Sequence, residues 1–442
     1  MNQEINKIIR FLEQPLTVFI LVFQSGLLYF QSFFADPDDP LAVGVTPIDS
    51  VLSLVQHFVY LLVLLLLIAR WQQCLTLALK HRWVWILTLL TIFSWFWSDF
   101  SDIALRRAFV TLETTFFGLY LASRYTLRQQ LTMLAWAMGI VTIVSLLFCA
   151  AFPGVAIETG GNAGALRGPF AQKNPFARLM VLSSIAFFLL PAKKRSTRLI
   201  RWGLFVLSAM LIFLASSKTA LILLVVLLLL VPLYRALRWR SKILIPGVIA
   251  FFLIFSSFAT VFVGNWENLA LSIGKDPSLS GRTDFWELAV EKIAERPWLG
   301  HGYQSFWIDK GEAEDIWKEI TKAQGDYKPP HAHNGFINLS LELGLVGLGT
   351  FLVTIGIIYL QSIAYVRSGK TNLELWPIIY TTFFFMYNHS EDTTIAPNSI
   401  FWALLVATAF SSLAVTQKRR SRDAQELRGS EAEELRSKAN YN

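Results

Sequence analysis

The chain has 442 residues, 54% of them hydrophobic, with a positive mean hydropathy and a formal charge of +8. That apolar share is above the range of an ordinary soluble domain and excludes one. The basic residues gather in short stretches between apolar runs, which marks membrane flanks rather than a nucleic-acid surface.

A hydrocarbon core about 30 Å thick needs roughly 20 apolar residues per helix. The apolar runs therefore predict an all-α polytopic membrane protein of about twelve spans. They lie near residues 16–34, 50–69, 83–97, 105–123, 130–152, 175–191, 202–215, 219–233, 243–263, 337–364, 373–388 and 397–416. Residues 1–14 are largely polar and carry no cleavable signal pattern. Alternate loops are basic: Arg70 to Arg82, Arg124 to Arg128, residues 191–202, residues 234–242 and the stretch QKRRSR at 417–422. The positive-inside rule makes these cytoplasmic, together with both termini. Residues 1–416 then form one transmembrane domain, and 417–442 a charged cytoplasmic tail.

The remaining loops face outward on this reading. Residues 35–49 are acidic, and 153–174 form a Gly-rich connection. The longest loop, about 264–334, contains the amphipathic stretch TDFWELAVEKIAER at 283–296. Trp286, Ala289, Val290 and Ile293 share one face of that helix, and Pro297 ends it. A second helix is expected around 311–324. Cys74 and Cys149 stand far apart in apolar settings and read as small hydrophobes.

Charged groups at a membrane face are candidates for function. On the outward side these are Arg106, Arg107, Arg167, Lys173, Lys218, Arg282, His331 and His333. Four of them share a local design. Lys173 precedes Asn174, a cap residue, and Pro175, a first-turn residue; Lys218 opens an apolar span; Arg282 precedes Thr283, a cap for the amphipathic helix; His333 precedes Asn334, a cap for the helix that enters the membrane. Each should sit beside free backbone N–H groups at a positive dipole end, which suits phosphate. If they converge, they would hold a diphosphate. Neighbouring cations and the dipole would also keep His333 neutral, able to act as a general base. Blander readings stand beside these. His333 can serve as a loop or cap residue, Arg282 can pair with Asp284 or Glu287, and Lys218 can snorkel to the interface. The H-x-H pair has no further ligand at metal spacing, including His301, so no metal is expected. His57 and His81 are peripheral, and His389 is a further candidate for lining the same cavity.

Four segments together resemble a family. HNGFINLSLELGLVG (333–347) resembles the H-N-x-x-L…E-x-G-x-x-G signature of the O-antigen ligase and polymerase superfamily, with Ile337 in place of leucine. SLSGRTDFWELAVEKIAERPWLGHGYQSFW (278–307) is similar to its G-R-x-x-x-W…P-x-x-G-x-G loop, GALRGPFAQKNPFA (164–177) to its R-G-x-F-x-x-K-N segment, and SSKTALI (216–222) to its S-[RK]-T/S turn. The resemblance implies a GT-C-like inverting glycosyltransferase of the bacterial inner membrane. Its donor would be a glycan on undecaprenyl diphosphate, with no metal or other cofactor. The acceptor would be a second lipid-linked repeat or the lipid A core, and a separate chain-length regulator could assist. His333 matches the catalytic base, and Arg282 matches a donor-diphosphate contact. Lys218 matches a position that is often arginine; lysine keeps the charge and loses bidentate geometry. Arg167 and Lys173 match a further basic segment, while Gly281, Trp286, Asn334, Glu342, Gly344 and Gly347 fall on motif positions. The wording leans towards the exopolysaccharide-polymerase branch. A flippase for lipid-linked oligosaccharide is the alternative of a different class; it predicts an internal repeat, and none is evident.

Overall fold

In a computed structural model of the chain, residues 3–33, 47–159, 163–238, 282–308, 311–324 and 328–412 are described. The expected span at 243–263, residue Gly281 and the tail 417–442 lie outside them. The described helices are α1 (Gln3–Gln24), α2 (Pro47–Ile68), α3 (Trp71–Ala78), α4 (Arg82–Phe93), α5 (Ser101–Arg124), α6 (Leu127–Ala151) and the single turn α7 (Pro153–Ala156). They continue with α8 (Lys173–Leu189), α9 (Arg195–Leu214), α10 (Lys218–Ala236), α11 (Arg282–Glu295), α12 (Glu314–Gln324), α13 (Gly335–Arg367), α14 (Trp376–Tyr387) and α15 (Ile400–Ser412).

Among the described residues, 5 helices are long and apolar enough to cross a membrane, and up to 6 if the bent pair α3 and α4 counts as one. The protein is thus an all-helical, multi-pass membrane protein. Large apolar side chains such as Leu54, Phe58 and Leu65 on α2 and Phe213 on α9 point outward, as lipid-facing surfaces require. The buried centre runs through α5, α6, α8, α14 and α15. Close approach there depends on small residues. A Cβ at Gly118 of α5 would lie 2.6 Å from the Val406 Cβ and 2.7 Å from the Ala403 carbonyl of α15. Buried hydroxyls join neighbouring helices, as at Thr142, Ser183 and Ser208.

The stretch expected to face outward also folds as helices. α11 buries Ala289 and packs Trp286 and Ile293 around Phe306, Ile316, Trp317 and Leu341. Two expectations need correction here. The helix starts at Arg282, so Thr283 lies in its first turn instead of capping it. Val290 is 55% exposed, because the neighbours cover a narrower stripe than the one expected.

α13 is the element that positions everything else. It is broken at Gly344, whose φ of 65° and ψ of −168° are not helical. The loop after α11 fills the break. His301 N–H donates to Leu341 O and Gly302 N–H to Glu342 O, which satisfies the end of the first half. Leu345 N–H donates to Pro297 O and Val346 N–H to Trp298 O, which satisfies the start of the second. Two motifs some forty residues apart are therefore one structure: the P-W-L-G-H-G loop plugs the E-L-G-L-V-G kink.

Candidate active site

His333 stands at the mouth of α13 in a left-handed conformation, φ 48°. An L-residue adopts this region only when its surroundings enforce it. Those surroundings are specific. Its own N–H donates to His331 Nδ1 at 3.1 Å, and the two imidazoles lie edge to face with centroids 4.4 Å apart. One residue back, Ala332 is held on both sides: its carbonyl accepts from Trp286 Nε1 at 2.7 Å, and its N–H donates to Asn338 Oδ1 at 3.3 Å. One residue on, Asn334 caps α13 as expected, accepting from the N–H of Phe336 and Ile337. Trp286 thus has a defined job: it reaches from α11 to the segment carrying the histidine.

Beneath this turn lies a polar hub. Asn338 Oδ1 also accepts from Trp307 Nε1 at 2.7 Å, and its Nδ2 donates to Glu342 at 2.9 Å and Asp392 at 2.6 Å. Asp392 further accepts from Thr394 N–H and Oγ1. Burial pushes the Asp392 carboxyl above its usual range, and these donors oppose that. Asn338 is the only donor the described residues place between the two acids, so Glu342 is a structural member of the hub.

Among the described residues, a carboxylate stands beside His333. Glu391 Oε2 lies 3.5 Å from His333 Nδ1 and 4.0 Å from His331 Nε2. The α14–α15 connection folds back over the α13 mouth, and Gly335 N–H donates to the carbonyls of Asn388 and Glu391. A Cβ at Gly335 would meet Asn388 Oδ1 at 2.7 Å, so the approach needs glycine.

Glu391 also gathers other motifs. Its Oε1 accepts from Asn174 Nδ2 at 2.8 Å, and Asn174 Oδ1 accepts from Ser217 Oγ at 3.5 Å. The starts of α8, α10 and α13 therefore converge, with Lys173 and the exposed Lys218 on either side of that contact in sequence. Asn174 is not a cap, which corrects the expectation for it. α8 begins at Lys173, whose N–H donates to the Glu158 carboxylate. The anticipated free N–H groups are likewise taken at α13, by Asn334 and by two carbonyls. A tertiary acceptor wins because it satisfies the same orphan donors without a side chain of the helix itself.

Arg167 is buried, with Nε donating to Val155 O and Nη1 to Ala171 O, so it braces the turn ahead of α8. Burial lowers its pKa, and Glu158 counters that. Arg282 begins α11, with its side chain outside the described residues. His389 packs against Phe336 and Phe385 behind the mouth. His301 is buried in the plug, its Nε2 3.0 Å from Lys292 O.

His331, His333 and Glu391 place ligand atoms within 4.8 Å of one another, a set that could hold a metal ion. The hydrogen bond at His331 argues against it. Nδ1 accepts from a backbone N–H, so in the neutral ring the proton sits on Nε2, which then has no lone pair for a metal.

Sequence reasoning missed Glu391, Asn338, Asp392 and Arg178. Arg178 lies one turn after Asn174, stacked on Phe401 at 4.5 Å and Tyr387 at 5.2 Å. The acidic pair in SEDTT, close to a span end, was a usable signal for the first and third.

Residues 203–352 match the model of the O-antigen ligase family. Over this segment, about a third of its length, the chain is similar to that family. The family segment runs from α9 to the first half of α13 and beyond its break, so it includes Lys218, Arg282, the plug loop and His333. The chain is 34% identical over 114 residues to the "Exopolysaccharide production protein ExoQ" of Rhizobium meliloti, covering 26% of each chain. It is 35% identical over 81 residues to the Rickettsia conorii protein named "Putative polysaccharide ligase", covering 18% of this chain and 19% of that one. A protein of the same name from Rickettsia bellii is 32% identical over 123 residues, 25% of this chain and 27% of that one. The matches thus span about a quarter of the length of these relatives.

Proposed function

We propose that the protein is an inverting, metal-independent glycosyltransferase. It would transfer a polyprenyl-diphosphate-linked glycan to a sugar hydroxyl at the periplasmic face of the bacterial inner membrane, with both termini in the cytoplasm. The observation that carries this reading is the strained His333 turn, held from both sides and faced by Glu391, inside the family segment.

Glu391 beside Nδ1 favours the tautomer with its proton there and leaves Nε2 as the basic nitrogen. Nε2 takes the proton of the acceptor hydroxyl as that oxygen attacks the anomeric carbon. The bond from that carbon to the diphosphate oxygen breaks, and polyprenyl diphosphate leaves. We assign the leaving charge to Lys173, Lys218 and Arg282, whose positive charge would stabilise it as it develops. Arg167, matched to the same donor role, acts on this reading chiefly by bracing the loop that carries Lys173.

The acceptor we favour is another lipid-linked repeat, so that the product is a lengthening polysaccharide. The similarity to an exopolysaccharide production protein supports this over transfer to a lipid A core. The test is a reconstituted assay with lipid-linked repeats alone. A ladder of products supports polymerisation, and product only on added lipid A core assigns a ligase. His333→Ala with full transfer activity would remove the mechanism, and movement of donor across vesicles without transfer would favour a flippase.

A further inference from the structure

Arg106 and Arg107 take no part in the site above. They lie in the first turns of α5 and line a cavity of about 390 Å³ with Gln24, Tyr29, Gln56 and Asn398. Its lining comes from the first turns of α5, the segment just before α15 and the end of α1. Arg107 donates to the carbonyl of Gln304, and Tyr303 bonds both Thr111 of α5 and the carbonyl of Ile395. That same loop is the one that plugs α13.

The lining has a definite chemistry. Gln24 is 5% exposed. Its Nε2 donates to the Tyr60 hydroxyl at 2.9 Å, and that hydroxyl donates onward to Asn398 Oδ1 at 2.9 Å. The chain of donors fixes the direction of the Gln24 amide, whose Oε1 is the acceptor end. It is buried and has no donor among the described residues. The amides and the phenol that line the cavity can pair with ligand hydroxyls. Beside them stand two adjacent guanidinium groups, neither in an ion pair among the described residues. Like charges at one mouth are relieved by an anion. The ligand therefore carries hydroxyl donors and a negative group together, in a volume suited to a small polar molecule.

We propose that this cavity binds an acidic sugar residue, one bearing a carboxylate or phosphate, of the acceptor glycan. The proposal takes the ligand's origin from the glycan-transfer reading above. Neutral amides and a phenol around two cations match a ring of hydroxyls with one anionic substituent, whereas a bare anion would leave the amides unused.

The test is calorimetric binding to the full chain in phosphatidylcholine nanodiscs. The probes are a tetrasaccharide containing glucuronic acid and its carboxyl-reduced neutral counterpart. The acidic probe should bind at least about tenfold more tightly, in the parent and in His333→Ala alike. Arg106→Gln should abolish that preference, and Arg106→Lys should keep part of it. Gln24→Leu should weaken both probes. Equal affinity for the two probes, or an undiminished preference in Arg106→Gln, overturns the proposal. Tighter binding of glycerol phosphate than of the tetrasaccharide overturns it in favour of a lipid headgroup. Transfer activity is not read, so His333→Ala that retained full transfer would defeat the catalytic mechanism and leave this result standing.

Discussion

Gly344 and Trp298 are in backbone contact: a Cβ on Gly344 would lie 2.3 Å from both the carbonyl carbon and the carbonyl oxygen of Trp298. The helix breaks there because the plug loop needs that space, and only glycine readily holds the required φ and ψ. Gly300 makes the reciprocal demand, since its Cβ would lie 2.6 Å from the Leu341 carbonyl oxygen.

Gly344→Ala should therefore lose more than the roughly 1–3 kcal/mol of backbone strain alone, because the plug must also withdraw. The measurement is thermal unfolding followed by size-exclusion fluorescence. Gly349→Ala, on the same helix with nothing within 4 Å of its Cβ, should be neutral or slightly stabilising.

His331 has a role that its neighbour defines. Its Nδ1 accepts the His333 N–H and so holds the left-handed turn. His331→Leu should cost about 1 kcal/mol of that turn, read as a roughly five- to tenfold fall in transfer. His331→Asn should restore much of the activity, because an asparagine side chain accepts from the N–H two residues on. Equal loss in both variants would mean that the imidazole acts otherwise.

Glu391→Gln keeps an oxygen for Asn174 and removes the charge 3.5 Å from His333. Transfer should fall by about ten- to a hundredfold with donor affinity little changed. A matched fall in donor affinity instead would place Glu391 in the fold of the α8 and α10 termini.

Asn338→Asp replaces the donor between Glu342 and Asp392 with a third acceptor. The variant should be destabilised by several kcal/mol at neutral pH, as one buried charge is left without its partner. Burial already raises the Asp392 pKa in the folded state. A raised carboxyl pKa means that folding favours the protonated acid, so its stabilising contribution is present at low pH and is lost as pH rises. Thermal stability of Asn338→Asp should therefore recover as pH falls, more steeply than that of the parent.

Arg167→Lys separates two roles. A diphosphate contact would survive in part, whereas the bonds from Nε and Nη1 to the carbonyls of Val155 and Ala171 cannot both be made by an ammonium. The expected outcome is lower stability with donor affinity close to that of the parent.

Much of this protein was legible in the chain. Apolar runs located the helices at 50–69, 130–152, 202–215 and 219–233, because a span's length and hydropathy are local properties. The Asn334 cap was legible for the same reason, since a cap bonds N–H groups two and three residues away. Motif spacing also marked Gly344 and the plug loop, although not that they touch.

Tertiary structure decided the rest. Whether Asn174 caps its helix or reaches Glu391 depends on an acceptor 217 residues away in sequence. Glu158, not a side chain of α8, serves the Lys173 N–H. The charge facing His333 comes from a connection that folds back over α13 at a glycine without a side chain to keep it off. Hydropathy and capping act within a few residues of one another; the sign of the field at a histidine depends on which distant chain arrives beside it.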